Sequence, residues 1–263
     1  MKKINIFLSL VIFLLNPSSL LAHDLQSAIE SSDRSQKNVL RDEYRNPYET
    51  ITFFKIKPNM TVVELSPGGG WYTEIFANYL HEPGNLIAAH FDSDSDREYF
   101  KRGRANFEQK ILSSNIYNNV SIVDLSSNLA PENSVDAVVT FRNLHNWIGP
   151  QMDTIFENSY KALKPGGIFG VVEHRANPGT SLDDMKRSGY VTESYAIAIA
   201  EKHGFILIEK SEINANPKDL KNYERGVWTL PPSLRLKDKH KEKYLEIGES
   251  DRMTLLFKKP IDL

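Results

Sequence analysis

Two histidines and one run of glycines bring together residue types from which chemistry can be built. His145 stands in Phe141-Arg142-Asn143-Leu144-His145-Asn146-Trp147, directly after one apolar run, and His174 lies just past another, Ile168–Val172. A neutral imidazole at such a place can take a proton from a hydroxyl or a protonated amine, with Asn143 and Trp147 close enough in sequence to position an acceptor. The glycine turn Ser66-Pro67-Gly68-Gly69-Gly70 ends the apolar run Thr61–Leu65, and helical periodicity begins at Trp71. Glycines there let the backbone approach a ligand closely, and the free N–H groups of the helix start point at it. Asp92 follows about twenty residues on, where a carboxylate can hold both hydroxyls of a ribose. Asp124 ends a further apolar run. Read singly, each of these residues also serves structure: the glycines as a tight turn, Asp92 as a helix cap, Asp124 as a turn former, His145 as a fastener of its loop, and His174 with Arg175 as an edge pair.

Several chemistries are disfavoured at once. The dinucleotide fingerprint G-x-G-x-x-G is absent, which argues against a nicotinamide-dependent oxidoreductase. There is no cysteine and no H-E-x-x-H, and Asp92, Asp94 and Asp96 lack the turn glycine and final glutamate of a calcium loop, so no metal is expected. His81, His203 and His240 read as surface residues, and His90 lies within a strand. Of the 263 residues, 40% are hydrophobic and 25% charged, as in an ordinary globular chain, and the formal charge is −2. No basic stripe is present, so nucleic acid is not an expected partner and a small-molecule substrate is.

The elements that must position these residues can be read from periodicity. Runs at Thr61–Leu65, Asn85–Phe91, Val120–Val123, Val135–Phe141, Ile168–Val172, Phe205–Ile208 and Arg252–Lys258 predict seven strands. Trp71–Leu80, Met152–Leu163 and Thr192–His203 predict helices, the second stopped by Lys164-Pro165-Gly166-Gly167. Strand and helix alternate, which gives an α/β, doubly wound, mostly parallel sheet with helices on both faces. Residues 23–47 are charged at spacings suited to an exposed helix, interrupted by Pro47. Residues 48–263 form the main domain. Residues 214–248, polar and lysine-rich, read as an insertion before the last strand, within which Gly226–Pro232 is apolar enough to fold back over the site.

The N-terminus carries an address. Lys2 and Lys3 precede the short apolar stretch Ile6–Leu15, and a polar-to-small stretch ends at Ala22. This is the layout of a secretory signal peptide, residues 1–22, with cleavage expected after Ala22 and no membrane span thereafter. Without that segment 30 basic groups face 34 acidic ones. A periplasmic or secreted location is expected.

Glu64–Gly70 resembles motif I of the class I S-adenosylmethionine-dependent methyltransferases. Phe141–Trp147 resembles the segment after their fourth strand, Leu163-Lys164-Pro165-Gly166-Gly167 the turn before their fifth, and Ala200–Phe205 the step into their sixth. The resemblance runs from about Tyr48 to Ser211, and the signal segment adds a likeness to exported methyltransferases of bacteria. It implies a Rossmann-like seven-stranded sheet with an N-terminal helical extension, in which Asp33 to Pro47, with Arg41 and Arg45, would close over the cofactor as a lid. It further implies S-adenosylmethionine as cofactor, and in-line methyl transfer to a small molecule or envelope component. It also implies cofactor contacts at Glu64, Ser66, Gly68, Gly69, Gly70, Tyr72, Asp92, Asp124, Phe141 and Arg142, with Tyr72 reaching the methionine carboxylate. His145, Asn143 and His174 are the expected catalytic residues. Ser66 departs from the family, standing where the first glycine of motif I belongs. A non-catalytic binding protein that retains the fold is the alternative.

Overall fold

Apolar side chains that alternate along a strand feed two faces of a sheet, and this chain buries both. The computed structural model describes residues 24–261, with β1 at Thr61–Leu65, β2 at Asn85–His90, β3 at Val120–Asp124, β4 at Val135–Phe141, β5 at Leu163–His174, β6 at Ile206–Ser211 and β7 at Arg252–Lys258. They form one seven-stranded sheet in the order β3-β2-β1-β4-β5-β7-β6. Strands β1 to β5 pair in parallel, and β7 runs antiparallel between β5 and β6. The chain winds one way from β1 to β3 and the other way from β4 to β5. The β1–β4 junction is therefore the switch point, and a crevice opens there at the carboxyl ends of the strands.

Each face has its own core. Val63 and Leu65 of β1 and Val138 of β4 pack with Met152, Ile155 and Phe156 of the helix Pro150–Ala162 and Ala196 and Ala200 of the helix Glu193–Lys202. Val62, Ala137 and Val139, one residue out of phase, pack on the opposite face with Ile75 and Phe76 of the helix Trp71–Tyr79 and Ile51 of the helix Pro47–Phe53. Full burial of each large apolar side chain contributes about 1.5–3 kcal/mol. Phe54 lies against Gly170 of β5, where a Cβ would meet the ring at 2.8 Å. That glycine lets the helix preceding β1 sit close on the sheet.

The structure departs from the sequence reading in four places. Residues 24–46 are not one exposed helix but three short ones, Leu25–Ile29, Gln36–Val39 and Asp42–Arg45, and Pro47 starts a fourth, Pro47–Phe53. Proline suits a first helical turn, where its missing N–H is not needed. The charges of this segment are partly buried: Arg34 and Arg45 are only 5% and 3% exposed, and their guanidiniums lie over the Trp71 ring at 5.2 and 4.6 Å. The Lys164–Gly167 turn belongs to β5, because Leu163 already pairs with Val135 before the register shifts. The helix Glu98–Leu112 was missed, since among its fifteen residues Phe107 alone is buried and little apolar periodicity marks it. The proposed signal segment lies outside the described residues, and among the described residues no helix is long and apolar enough to cross a membrane.

Candidate active site

The crevice at the switch point is a cavity of about 720 Å³. Its floor is the turn after β1. Ser66 has φ +50° and Gly68 φ +59°, so a non-glycine residue occupies the left-handed region that glycine favours. A Cβ at Gly68 or Gly69 would meet nothing within 4 Å, so the backbone there is open to a ligand. Ser66 N–H donates to Ala89 O at 2.7 Å, while its hydroxyl is buried and unpaired. The turn is tied to β2 by His90. Phe91 N–H donates to its Nδ1 at 2.8 Å, which leaves Nε2–H to donate to Gly68 O at 3.1 Å.

Asn143 links the two halves of the switch point. Its Nδ2 lies 3.2–3.3 Å from the carbonyls of Leu65, Ser66 and Phe141 and from Thr140 Oγ1. Asp92 lines the cavity and spends one oxygen on Ser126 N–H at 3.0 Å. The other oxygen has no such partner, and a pair of ribose hydroxyls would suit it.

The wall beyond β4 holds a buried dyad. Glu173, fully buried near the end of β5, accepts from Leu144 N–H at 2.5 Å and from His174 N–H at 2.8 Å. His145 Nδ1 lies 3.1 Å from the same Glu173 Oε1 that serves His174. A carboxylate only accepts, so the Nδ1 proton of His145 points at Glu173 and the Nε2 lone pair is left for another partner. Both His145 and His174 line the cavity, their rings 5.4 Å apart. His174 Nδ1 meets Ser250 Oγ at 2.5 Å. Burial, then the neighbouring imidazole of His145 and the charges of Arg252, Arg142 and Arg45, push His174 well below the ordinary imidazole range and keep it neutral. Trp228 stands edge-on to His145 at 5.8 Å, and with Val227, Pro231 and Pro232 it forms one side of the cavity. The apolar stretch of the 214–248 segment thus folds over the site.

Glu173 escaped the sequence reading, although a lone acid at the end of Ile168–Val172 and next to His174 was a usable signal. His145, Glu173 and His174 also offer metal-type donor atoms within 4.8 Å of one another. Both Glu173 oxygens are already engaged, and arginines stand nearby, so the arrangement suits proton transfer better than a cation.

Several expected cofactor contacts go elsewhere. Glu64 is buried and accepts from Thr73 Oγ at 2.6 Å, which fastens β1 to the following helix, and it does not line the cavity. Tyr72 is stacked on Phe141 with centroids 3.5 Å apart, and its hydroxyl meets Arg45 O at 3.4 Å, so neither ring reaches the cavity. Asp124 takes Ser93 N–H and Oγ at 3.1 and 2.9 Å and Arg104 at 2.8 Å, and it too lies off the cavity. Gly70 faces Lys110 and Phe107, whose side chains a Cβ there would meet at 3.1–3.2 Å, and it does not line the cavity. Ser66, Gly68, Asp92, Arg142, Asn143, His145 and His174 do share the cavity.

Arg142 is joined there by Arg41, Arg45 and Arg252 around one acid, Glu249. The distances are 2.6 Å from Arg41, 3.5 Å from Arg45 and 3.6 Å from Arg142, with Arg252 in direct contact. Burial pushes Glu249 up, but Arg252, Arg45, Arg142 and Arg41 outweigh it and hold the carboxyl at about 2. Burial pulls Arg142 down to about 10.

The family model described as a methyltransferase domain matches residues 63–171, which span β1 to most of β5. A comparison with curated proteins found no match. Among solved structures, a SAM-dependent methyltransferase from Aquifex aeolicus is 16% identical, with a TM-score of 0.56, over 90% of this chain and 98% of its own. The [4+2]-cyclase SpnF is 14% identical with a TM-score of 0.61, over 89% and 86%. The geranyl diphosphate C-methyltransferase from Streptomyces coelicolor A3(2), solved with Mg2+, geranyl-S-thiolodiphosphate and S-adenosyl-L-homocysteine, is 11% identical with a TM-score of 0.57, over 89% and 84%. By its strand order this chain has the class I methyltransferase fold, and a methyltransferase-domain model matches the part of it from β1 to most of β5.

Proposed function

We propose that the chain moves a methyl group from S-adenosylmethionine to a small molecule or an envelope component, with His145 as general base and Glu173 as the residue that orients it. The observation that carries this reading is the buried Glu173 bonded to His145 Nδ1, beside a glycine turn left open to a ligand. Ser66, Gly68 and Asn143 would hold the amino-acid part of the cofactor and Asp92 its ribose hydroxyls. S-adenosylmethionine, when bound, supplies an electrophilic methyl on a positively charged sulfur. His145 Nε2 receives the proton of the acceptor hydroxyl or ammonium, and Glu173 stabilises the imidazolium so formed. The wall made by Trp228, Pro231 and Pro232 keeps water from the reacting atoms.

We further propose that residues 1–22 export the chain and are removed after Ala22, so that it acts in the periplasm or outside the cell. The support is the sequence of that segment alone. A tagged precursor recovered uncleaved from the cytosolic fraction would overturn this part.

Calorimetric titration with S-adenosylmethionine and S-adenosylhomocysteine tests the main reading, followed by transfer of a radiolabelled methyl group to an extract of the source cells. Binding and His145-dependent transfer are expected. No binding of either compound would sink the proposal, and binding without transfer would favour a binding protein on the same fold.

A further inference from the structure

Six arginines line the cavity (Arg41, Arg45, Arg97, Arg142, Arg235 and Arg252) against two carboxylates, Asp92 and Glu249. Four of them converge on Glu249, whose two oxygens cannot satisfy four guanidiniums of five N–H groups each. The shortfall is visible in the hydrogen bonds. Nε and Nη1 of Arg45 and Nε of Arg252 are buried without a hydrogen bond, as is the Ser66 hydroxyl, and Arg45 Nε comes no nearer to Glu249 than 3.5 Å. Arg45 is 3% exposed, so bulk water does not serve those donors. Buried polar groups are nearly always paired, and a cluster of like charges left open marks a place where an opposite charge is meant to come.

S-adenosylmethionine does not provide that charge. Its sulfonium and ammonium outnumber its one carboxylate, so its arrival would add to the positive excess. The geometry points to an anionic acceptor, a small molecule whose carboxylate or phosphate is held by Arg41, Arg45 and Arg142 while its nucleophile lies at His145. This rests on the methyl-transfer reading for the fate of the nucleophile and names the substrate class of the same site.

The cluster is built to hold a planar or tetrahedral oxyanion. Guanidinium forks match carboxylate and phosphate oxygens two at a time. Arg45 is fixed by the Trp71 ring at 4.6 Å, and Asn46 after it is anchored by its Nδ2 to Ile213 O at 2.8 Å. Arg252 is anchored by Nη1 to Tyr44 O at 2.7 Å. These arginines are therefore placed before any ligand arrives, which lowers the ordering cost of binding. Glu249 acts as a positioning residue, which gathers the four guanidiniums and leaves most of their charge unspent.

Titration of the full chain with inorganic phosphate, phenyl phosphate, benzoate and phenol, with and without saturating S-adenosylhomocysteine, tests the inference and separates the two sources of an anion. Phenyl phosphate or benzoate is expected to bind the S-adenosylhomocysteine complex at least ~10-fold tighter than phenol. Arg41→Gln and Arg45→Gln should each weaken that anion ~10-fold or more, with S-adenosylhomocysteine affinity changed by less than ~3-fold. If phosphate instead competes with S-adenosylhomocysteine, and neither aromatic anion outbinds phenol on the complex, the arginines serve only the cofactor's carboxylate and the inference is overturned. If S-adenosylhomocysteine does not bind but phosphate does so in an Arg45-dependent way, methyl transfer falls and the anion site stands. Should Arg45→Gln fail to fold by its thermal melt, Arg41→Gln, whose side chain reaches the surface, decides between these outcomes.

Discussion

Glu173 Oε1 lies 3.1 Å from His145 Nδ1, and because that carboxylate also receives two backbone N–H groups it can only accept from the imidazole. The tautomer of His145 is thus set by a residue on the neighbouring strand. Glu173→Gln keeps the shape but can turn an amide N–H toward Nδ1, which would place the His145 proton on Nε2 and remove the base. Methyl transfer should fall about 10²–10⁴-fold, with S-adenosylhomocysteine affinity nearly unchanged. His145→Ala should lose a similar factor, and the double variant little more, because the two act as one unit. Steady-state rates of the three variants check this, and an unimpaired Glu173→Gln enzyme would refute the dyad.

Glu249 holds four guanidiniums, so its loss should be felt in the fold as well as in the site. Its folded carboxyl stands at about 2, below the 4.5 of an unperturbed glutamate. A depressed carboxyl contributes stability that is present above 4.5 and lost as pH falls toward 2. Glu249→Gln should therefore lower stability by about 3–5 kcal/mol at pH 7, as expected when one partner of a buried ionic cluster is removed. The difference from the natural protein should shrink in melts taken from pH 5 down to pH 3. A constant difference across that range would mean that the charge of Glu249 is not what holds the arginines.

The strands were legible because their apolar runs are short and bounded by glycine, proline or asparagine, and β1, β4 and β7 fall on the residues that periodicity marks. The glycine turn, Asp92, Asn143 and both histidines could be seen for the same reason, since each closes a strand at the carboxyl edge of the sheet. Glu173 was hidden because a buried acid inside an apolar strand reads as an interruption until its three donors are known. The arginine cluster was hidden for another reason. Arg41 and Arg45 precede β1, Arg142 follows β4 and Arg252 opens β7, and only the sheet order brings them to one acid. Tyr72, Glu64 and Asp124 present the opposite case. Their positions beside the turn or at a strand end suggest a ligand, but each is consumed by packing or by a local hydrogen bond.

Asp92 and Asp124 end adjacent strands and should now separate by experiment. Asp92 faces the cavity with one oxygen unspent, whereas Asp124 joins Ser93 to Arg104 outside it. Asp92→Ala should weaken S-adenosylhomocysteine about 10–100-fold, the range of a hydrogen bond to a charged group, with a small change in melting temperature. Asp124→Ala should lower the melting temperature by several degrees, corresponding to about 1–3 kcal/mol, with affinity nearly kept. The reverse pattern would move the ribose carboxylate from β2 to β3.

Glu64 offers a pH signature that no ligand is needed to read. Burial raises its carboxyl from 4.5 to about 7, against the opposing hydrogen bond from Thr73 and the charge of Arg142. Between those two values the unfolded chain has released the proton and the folded chain still holds it. Stability from this residue is therefore complete below 4.5 and declines as pH rises toward 7, the opposite sense to Glu249. The span corresponds to a loss of about 3 kcal/mol. Glu64→Gln keeps an acceptor for the Thr73 hydroxyl and removes the ionisation, so it should match the natural protein near pH 4.5 and exceed it at pH 8 by up to about that amount. Denaturant melts of both proteins at the two pH values check this. A natural protein no less stable relative to Glu64→Gln at pH 8 than at pH 4.5 would show that Glu64 ionises freely in the fold, and that its place beneath the glycine turn carries a charge after all.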